Sequence, residues 1–379
     1  MQVEKLSNTL NHKKLLQDLG VDGGGVNILA SKMSHHIIYI HELHVGAANI
    51  LKQDALSIGA DLAVPRGTVI AKTKTVDCIL IATQKQLQTL STKELAQPFG
   101  LKELAHKLKE YTQIKKPTSV EIMGVINAND DSFFSGSRFS GSNAVEMIKK
   151  MINDGATVID IGGVSSKPNA VIVSAKEELE RVKPIYELIA KEKLYEHAKF
   201  SCDSYAPTVV KSAFDSGFSI LNDITGLEND SLCKLSAEYK ATVVIMHMQG
   251  NPQTMQDNPR YTNVIDEVYS FLQERMLKAE SFGIKDIVLD IGIGFGKSLE
   301  DNLKLIKHLE NFLTLQKPLL VGASRKSMIN NIVSSNVEDR LAGTLALHLE
   351  AVRNGASILR VHDVKDHFQA LKVQKALSL

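Results

Sequence analysis

Polar and ionisable side chains follow apolar runs at regular intervals along the last two thirds of this 379-residue chain. The runs have the length of strands, and helix-length segments separate them. The side chains at or just after the ends of these runs are Asn127, Asp160, Asp203, Asn222, His247, Asp290, Lys326, Arg360 and His362. Carboxylates, amides and cations that converge in this way can recognise a polar ligand and stabilise developing charge.

The elements that must position these groups alternate between strands and helices. Strands are expected near residues 120–127, 156–161, 198–203, 219–223, 242–247, 286–291, 318–322 and 356–361. Short, continuously apolar strands separated by helices indicate a parallel sheet that is covered on both faces. Eight units in a row favour a closed (β/α)8 TIM barrel, because Gly124-Val-Ile-Asn127 does not supply the GxGxxG turn of an open sheet. The strand ends of such a barrel converge on one face, which carries the chemistry.

A second, smaller unit should precede the barrel, because a barrel needs only roughly 250 residues. We expect a small N-terminal α/β domain at 1–115 and the barrel at 118–379. The local expectations in the first domain are strands at 26–29, 37–40 and 77–82, helices at 47–58 and 102–111, and a flexible turn at 23–25. The histidines of this domain invite a metal interpretation, but they alternate with apolar residues on or beside a strand: His35, His36, His41 and His44. Solvated or hydrogen-bonded imidazoles are therefore favoured there.

Composition excludes several classes of protein. A hydrophobic content of 44% and a charged content of 23% fit an ordinary globular chain, and a net charge of +1 gives no footprint for nucleic-acid binding. Cys78, Cys202 and Cys233 show no CxxC spacing, so a reduced, cytoplasmic setting is expected. No apolar run approaches the roughly 18 residues that span a bilayer, and the N-terminus lacks a signal-peptide pattern.

The strand-end groups suit two kinds of ligand. Asp203, Asn222 and Asp290 can accept and donate hydrogen bonds along the edge of a planar, nitrogen-rich heterocycle, and Lys326 suits a carbonyl oxygen or a phosphate. The glycines of 292–296 permit a close approach of the backbone. A second group, Asn127, Arg360 and His362, would form a cradle for an anion.

Other polar residues near these positions have competing interpretations. Asp160 either bonds the backbone of the following glycines or lies near a metal. His247 is more typical of a packed rim histidine than of a catalytic base. Arg325 either touches a leaving group or forms a surface ion pair, and His367, on the last helix, is expected to be solvated.

A series of motifs resembles the dihydropteroate synthase family across 118–379. They are Met123-Gly-Val-Ile-Asn127, Asp131-Ser-Phe133, Gly155-Ala-Thr-Val-Ile-Asp-Ile-Gly-Gly163, Asn222-Asp223, Met246-His-Met-Gln-Gly-Asn-Pro252, Leu289-Asp290, Gly294-Phe-Gly-Lys297, Ser324-Arg-Lys-Ser327 and Arg360-Val-His-Asp363. One motif alone would be a weak signal. All of them, in order and at the strand ends, are specific.

The resemblance implies an enzyme of folate biosynthesis, the target of sulfonamides, that joins 4-aminobenzoate to (7,8-dihydropterin-6-yl)methyl diphosphate and releases pyrophosphate. It implies that the pterin is held by Asp203, Asn222, Met246, Asp290 and Lys326. The residues implied for pyrophosphate are Asn127, Arg360 and His362, with Asn127 also reaching Mg²⁺. The 4-aminobenzoate pocket would comprise Ser166, Lys167, Pro168, Phe295 and Ser324. Asp131, Asp203 and Lys326 would be catalytic, and the family likeness suggests a homodimer.

The chain departs from the family pattern in two loops. Asn129 and Asp130 replace Thr and Pro, so the first loop loses a fixed φ. Val164 stands in the second loop, and Lys167 replaces an arginine, which removes a bidentate fork. We expect an active enzyme whose loop dynamics or sulfonamide response is altered.

Two other functions compete with this interpretation. A methyltransferase of the related pterin-binding barrels, acting between methyltetrahydrofolate and a corrinoid protein, would share the Asp and Asn ligands. It would not explain Asp131-Ser-Phe133 or Ser324-Arg-Lys-Ser327. A catalytically silent pterin-binding module, whose N-terminal domain mediates assembly, would bind the pterin without releasing pyrophosphate.

Overall fold

The computed structural model describes residues 1–7, 10–128, 141–164 and 173–377. The chain divides into two compact units. One comprises Met1–Lys115 and the chain end from Lys375, and the other comprises Lys116–Gln374. In the described part of the chain, no helix is both long enough and apolar enough to cross a membrane.

The first unit is a three-stranded antiparallel sheet with helices. Its elements are α1 (His12–Asp18), α2 (Gly23–Met33), β1 (His35–His44), α3 (Val45–Ser57), β2 (Asp61–Ala63), β3 (Thr75–Thr83), α4 (Gln84–Lys93) and α5 (Leu101–Gln113). The strand order is β1-β3-β2. Buried positions alternate along β3, where Cys78, Leu80 and Ala82 join the core formed with α3, α4 and α5. This period of two is what a sheet with one covered face requires.

Two local expectations for this unit are wrong. Residues 26–29 were expected to form a strand and residues 23–25 a turn, but both lie in α2. The carboxylate of Asp22 accepts the backbone N–H of Gly24 at 2.9 Å and so caps the helix in front of the glycine run. Val26 and Ala30, four residues apart, then pack against Leu16 on one helix face. The cap and the tertiary packing therefore outweigh the intrinsic preferences of this segment.

The second unit is a closed parallel barrel, as expected. Its strands are β4 (Glu121–Asn127), β5 (Val158–Gly162), β6 (Lys199–Asp203), β7 (Ile220–Asp223), β8 (Thr242–Met246), β9 (Ile287–Asp290), β10 (Leu319–Val321) and β11 (Ile358–Val361). Each pairs in parallel with its neighbour, in the order β10-β11-β4-β5-β6-β7-β8-β9, and β9 pairs with β10. The helices between and after them are α6 (Gly141–Asn153), α7 (Ala175–Lys191), α8 (Pro207–Asp215), α9 (Asp230–Glu238), α10 (Val264–Ser281), α11 (Leu299–Lys307), α12 (Ser327–Ile332), α13 (Leu341–Arg353) and α14 (Val364–Leu377).

The barrel interior is built in layers. One apolar layer takes a side chain from every strand except β6: Met123, Val158, Ile220, Val244, Val288, Leu320 and Ile358. Because side chains alternate between the two faces of a strand, residues two positions further on also point inward. On five of these strands that next residue is Asp160, Asn222, Met246, Asp290 or Arg360. A layer that is polar except for Met246 therefore lies directly above an apolar one, toward the carboxyl ends of the strands.

Candidate functional site

The guanidinium group of Arg360 joins two carboxylates at this end of the barrel. Its Nε donates to Asp160 Oδ2 at 2.6 Å, and its Nη2 donates to Asp203 Oδ2 at 2.6 Å. Asn222 Nδ2 donates to the same Asp160 oxygen at 3.1 Å. Strand register sets Asp203 beside Asn222. Four groups from four strands are thus held in one network.

The charged groups of this network shift one another's pKa values. Burial alone would lower the pKa of Arg360, but Asp160 and Asp203 raise it well above its usual value. Burial, opposed by Arg360 and reinforced by Asp160, raises the pKa of Asp203 to about 7. One guanidinium serves two carboxylates here, so the second negative charge is incompletely balanced. An incoming ligand that donates hydrogen bonds would relieve this imbalance.

Asp160 is one of the residues whose role the sequence left open. It does not simply bond the glycines that follow it, because Oδ2 accepts from both Asn222 and Arg360. Its side chain is fully buried, and Oδ1 has no hydrogen-bond partner among the described residues. A buried carboxylate requires partners. The sequence did carry one signal for this role, because Asp160 is a charged residue inside the apolar run 156–161.

Asp290 and Met246 end neighbouring strands and lie in register with each other. The Oδ1 atom of Asp290 accepts the backbone N–H of Gly292 at 2.7 Å. Burial raises the pKa of Asp290, whereas Gly292, Lys326 and Arg360 lower it. Gly292 has φ +67°, and a Cβ there would stand 1.8 Å from the carbonyl oxygen of His247. Only glycine allows this close approach of the two strand-end segments.

Lys297, to which sequence reasoning gave no role, holds the turn after β9 together. Its Nζ lies 2.9 Å from Nδ1 of His247 and donates to the carbonyl oxygens of His247, Gly292 and Phe295 at 3.2, 2.9 and 3.0 Å. Burial, and then the charge of Lys297, lowers the pKa of His247 to about 3. His247 is therefore neutral near pH 7 and too weak a base to take a proton there, as its rim position suggested.

Lys326 also contacts this turn. Its Nζ contacts the carbonyl oxygen of Ile293 and lies 4.3 Å from the ring centroid of Phe295. Burial lowers the pKa of Lys326 to about 8, although Asp290 and Asp203 raise it. The ammonium group is thus positioned between the turn after β9 and the network of Arg360.

Two further contacts join the segments that follow β10 and β11. Ser324 Oγ lies 2.9 Å from His362 Nδ1. Arg325 Nε and Nη2 donate to the two carboxylate oxygens of Asp363 at 2.9 and 2.7 Å. Arg325 therefore forms a bidentate pair, the second of its two interpretations, although the pair is only about a fifth exposed.

Asn127 ends β4 in register with Gly162, whose other neighbour is Asp203. Mg²⁺ is usually held by few protein oxygens, most often one or two carboxylates, together with substrate phosphates and water. The amide oxygen of Asn127 can supply one protein oxygen, and the described ranges contain no group of three or more His, Cys, Asp or Glu side chains that could hold a metal. Asp131, together with the replaced residues Asn129 and Asp130, lies outside the described residues. So do Ser166, Lys167 and Pro168.

The expectation that His367 is solvated is wrong. Its side chain is 1% exposed, and its Nε2 lies 2.8 Å from Nδ1 of the fully buried His348. The two residues lie on α14 and α13. Placement on the last helix was correct, but that position falls on the helix face that packs inward.

Comparison with known proteins agrees with the residues assembled at this barrel mouth. The sequence profile of the family described as "Pterin binding enzyme" matches residues 123–362. A bifunctional dihydropteroate synthase/dihydropteroate reductase of Helicobacter pylori is 45% identical over 365 residues, covering 96% of this chain and 96% of the relative. The dihydropteroate synthase of Haemophilus influenzae is 42% identical over 263 residues, 68% of this chain and 93% of the relative.

Solved structures show the same barrel. The structure of the Xanthomonas albilineans dihydropteroate synthase with 4-aminobenzoic acid is similar, with a TM-score of 0.64 and 36% sequence identity. The match covers 69% of this chain and 93% of the chain of that structure. The chain described here belongs to the pterin binding enzyme family.

Proposed function

We propose that this chain is a dihydropteroate synthase, which condenses 4-aminobenzoate with (7,8-dihydropterin-6-yl)methyl diphosphate to give 7,8-dihydropteroate and pyrophosphate. The observation that carries the proposal is the network of Arg360 with Asp160, Asp203 and Asn222 at the mouth of the barrel. Its oxygen and nitrogen atoms match the edge of a flat ring that both donates and accepts hydrogen bonds. The likeness to dihydropteroate synthases over the whole barrel supports the same conclusion.

The proposed roles follow from what each group can do. Asp203, Asn222, Asp290 and Lys326 hold the pterin, and the apolar side chain of Met246 borders it. The diphosphate would be bound by Arg360, Asn127 and His362. Asp131 would stabilise positive charge on the pterin methylene group. Ser166, Lys167, Pro168, Phe295 and Ser324 would border 4-aminobenzoate.

The reaction needs no protein nucleophile. The amine of 4-aminobenzoate attacks the methylene carbon of the pterin, the bond from that carbon to the diphosphate oxygen breaks, and the amine loses one proton. Pyrophosphate leaves with several negative charges, so cationic groups beside it lower the barrier. Asn127 would hold Mg²⁺, which neutralises part of this charge when it is bound.

We expect the protein to release pyrophosphate when both substrates and Mg²⁺ are present. A coupled pyrophosphate assay, with dihydropteroate identified by mass spectrometry, measures this turnover. Removing Mg²⁺ with EDTA should lower the rate, and added Mg²⁺ should restore it. Pterin binding without pyrophosphate release would favour the silent module, and methyl transfer to a corrinoid protein would favour the methyltransferase. Either result contradicts the proposal.

A second activity is favoured by one observation. The bifunctional relative aligns along 96% of this chain, so the alignment takes in the first unit, whereas the Haemophilus influenzae relative aligns along 68%. We therefore propose that the protein also reduces dihydropteroate, adding a hydride to C6 and a proton to N5 of the pterin. A reduced nicotinamide or a reduced flavin must supply the hydride. Anaerobic incubation with one of these donors should yield tetrahydropteroate. If no tetrahydropteroate forms with either donor, the reductase activity is contradicted.

We also propose that the protein forms a homodimer and works in the cytoplasm. Cys78, Cys202 and Cys233 are buried free thiols, which is typical of a reducing compartment. Sedimentation velocity measures the oligomeric state, and cell fractionation measures the location.

A further inference from the structure

A buried pair of histidines connects two of the segments that carry the site. The backbone N–H of Ala323 donates to His348 Nε2 at 2.9 Å. His348 Nδ1 lies 2.8 Å from His367 Nε2, and His367 Nδ1 lies 2.6 Å from the carbonyl oxygen of Asp363. The imidazoles are 0% and 1% exposed. This continuous chain of hydrogen bonds runs from the end of β10, through α13 and α14, to the end of β11.

The two ends of this chain fix the position of every proton in it. A backbone N–H can only donate, so His348 Nε2 must be an unprotonated acceptor and its proton must sit on Nδ1. That proton is donated to His367 Nε2, so the proton of His367 also sits on Nδ1. A carbonyl oxygen can only accept, and Asp363 provides one at that end. Burial lowers the pKa of both imidazoles, which keeps them in the neutral form that the chain requires.

What the pair holds is a strained segment. Arg325 has φ +56°, a conformation that side-chain-bearing residues rarely adopt unless their surroundings impose it. Helix α13 supplies two acceptors one turn apart: His348 takes the N–H of Ala323, and Thr344 Oγ1 takes the N–H of Arg325 at 2.9 Å. Lys326 follows immediately and begins α12 as its N-cap. The direction in which Lys326 leaves the backbone therefore depends on these two bonds.

The other end of this chain of hydrogen bonds holds the residues after β11. The carbonyl of Asp363 is bonded to His367, while the carboxylate of Asp363 is bonded to Arg325. His362, next to Asp363, meets Ser324. The histidine pair therefore links the segments after β10 and β11 behind their direct contacts, and it sets the distance between these two segments.

We propose that His348 and His367 are positioning residues, which hold Ser324, Lys326 and His362 in the arrangement that the transfer reaction needs. The proposal rests on the proposed synthase activity. Both imidazoles are buried, and their hydrogen bonds are to each other and to the backbone of Ala323 and Asp363. Their effect is on geometry, and a displacement of about 1 Å can cost an enzyme about 100-fold in rate.

Substitutions that keep or remove the hydrogen-bond pattern test this proposal. We expect His348→Leu to lower kcat/KM for pyrophosphate release by about 100-fold. His348→Gln has an oxygen that can accept from Ala323 and an amide that can donate to His367, so it should recover most of the activity. His367→Leu and His367→Gln should behave in the same way. His197→Leu is the matched control, because His197 is exposed and precedes β6 at the opposite end of the barrel. It should leave the rate unchanged.

Thermal unfolding of each variant at the assay pH separates positioning from loss of fold. Wild-type activity in His348→Leu, or a folded His348→Gln as slow as a folded His348→Leu, would overturn the proposal. Nitrogen-15 spectra of the wild-type protein give a readout that is independent of turnover. Both imidazoles should carry their proton on Nδ1, and an Nε2–H form of either would also overturn it. If the wild type shows these tautomers but releases no pyrophosphate, the synthase assignment fails while the hydrogen-bond chain stands.

Discussion

Asp203→Ala should lower kcat/KM for pyrophosphate release by about 1,000-fold. Asp203 Oδ2 is one of two carboxylate oxygens that hold Arg360, and the same side chain is a proposed acceptor for the pterin. Without it, Arg360 remains bonded to Asp160 alone, and a buried hydrogen-bond donor of the pterin would lose its partner. An unpaired polar group in a pocket closed to water costs binding free energy that the rest of the site does not restore.

The same substitution should leave the fold intact, which makes the result easy to interpret. The pKa of Asp203 in the folded protein is raised to about 7. Between its ordinary value and 7, the unfolded chain releases this proton and the folded chain keeps it, so ionisation of Asp203 lowers the free energy of unfolding as pH rises through this window. At pH 8, Asp203→Ala removes that penalty, which offsets the loss of the bond to Arg360. Its midpoint of thermal unfolding should therefore stay close to that of the wild type.

Steady-state kinetics and thermal unfolding at pH 8 measure both effects. Asp215→Ala is the control, because Asp215 is an exposed carboxylate at the end of α8. It should retain full activity. Turnover of Asp203→Ala near the wild-type rate would remove Asp203 from the proposed pterin site. Loss of activity together with loss of the folded state would contradict the stability argument.

The barrel could be predicted from the sequence because its signals are local and repeated. Each strand is a short apolar run, and the polar residues after these runs converge once the strands are parallel. Asp203, Asn222 and Arg360 could therefore be assigned to one face from the sequence alone. Their pairing could not, because the contact of Arg360 with Asp160 joins residues 200 positions apart and depends on the barrel register.

Other features depend on packing that no local pattern records. His367 was expected in solvent because it lies on the last helix, whereas in the structure it is buried against His348 of a different helix. Helix α2 was missed because Asp22 caps a run of glycines that alone favours a turn. Lys297 was part of a motif, but its contacts with His247 arise only when the turns after β8 and β9 meet.

Lys326→Ala should lower kcat/KM by about 100- to 1,000-fold, because it removes the only charge proposed to act on the pterin from the turn after β10. The pH dependence of the wild type distinguishes loss of the positive charge from a packing effect of the substitution. Burial lowers the pKa of Lys326 to about 8, so the positively charged form is lost as pH rises through 8 rather than above 10. If binding needs the ammonium, kcat/KM of the wild type should decline above about pH 8.

Lys326→Arg provides the sharper comparison, since a guanidinium stays charged at every pH where the protein is folded. Its rate should lie between those of the wild type and Lys326→Ala, because the longer, planar guanidinium cannot place its charge at the same point as the ammonium. Its decline near pH 8 should be absent. Lys307→Ala, at an exposed position of α11, is the control and should keep both the rate and the decline. An unchanged decline in Lys326→Arg would assign that titration to another group. Full activity of Lys326→Ala would exclude the ammonium from the reaction, because its neighbours Ile293 and Phe295 are uncharged and cannot replace it.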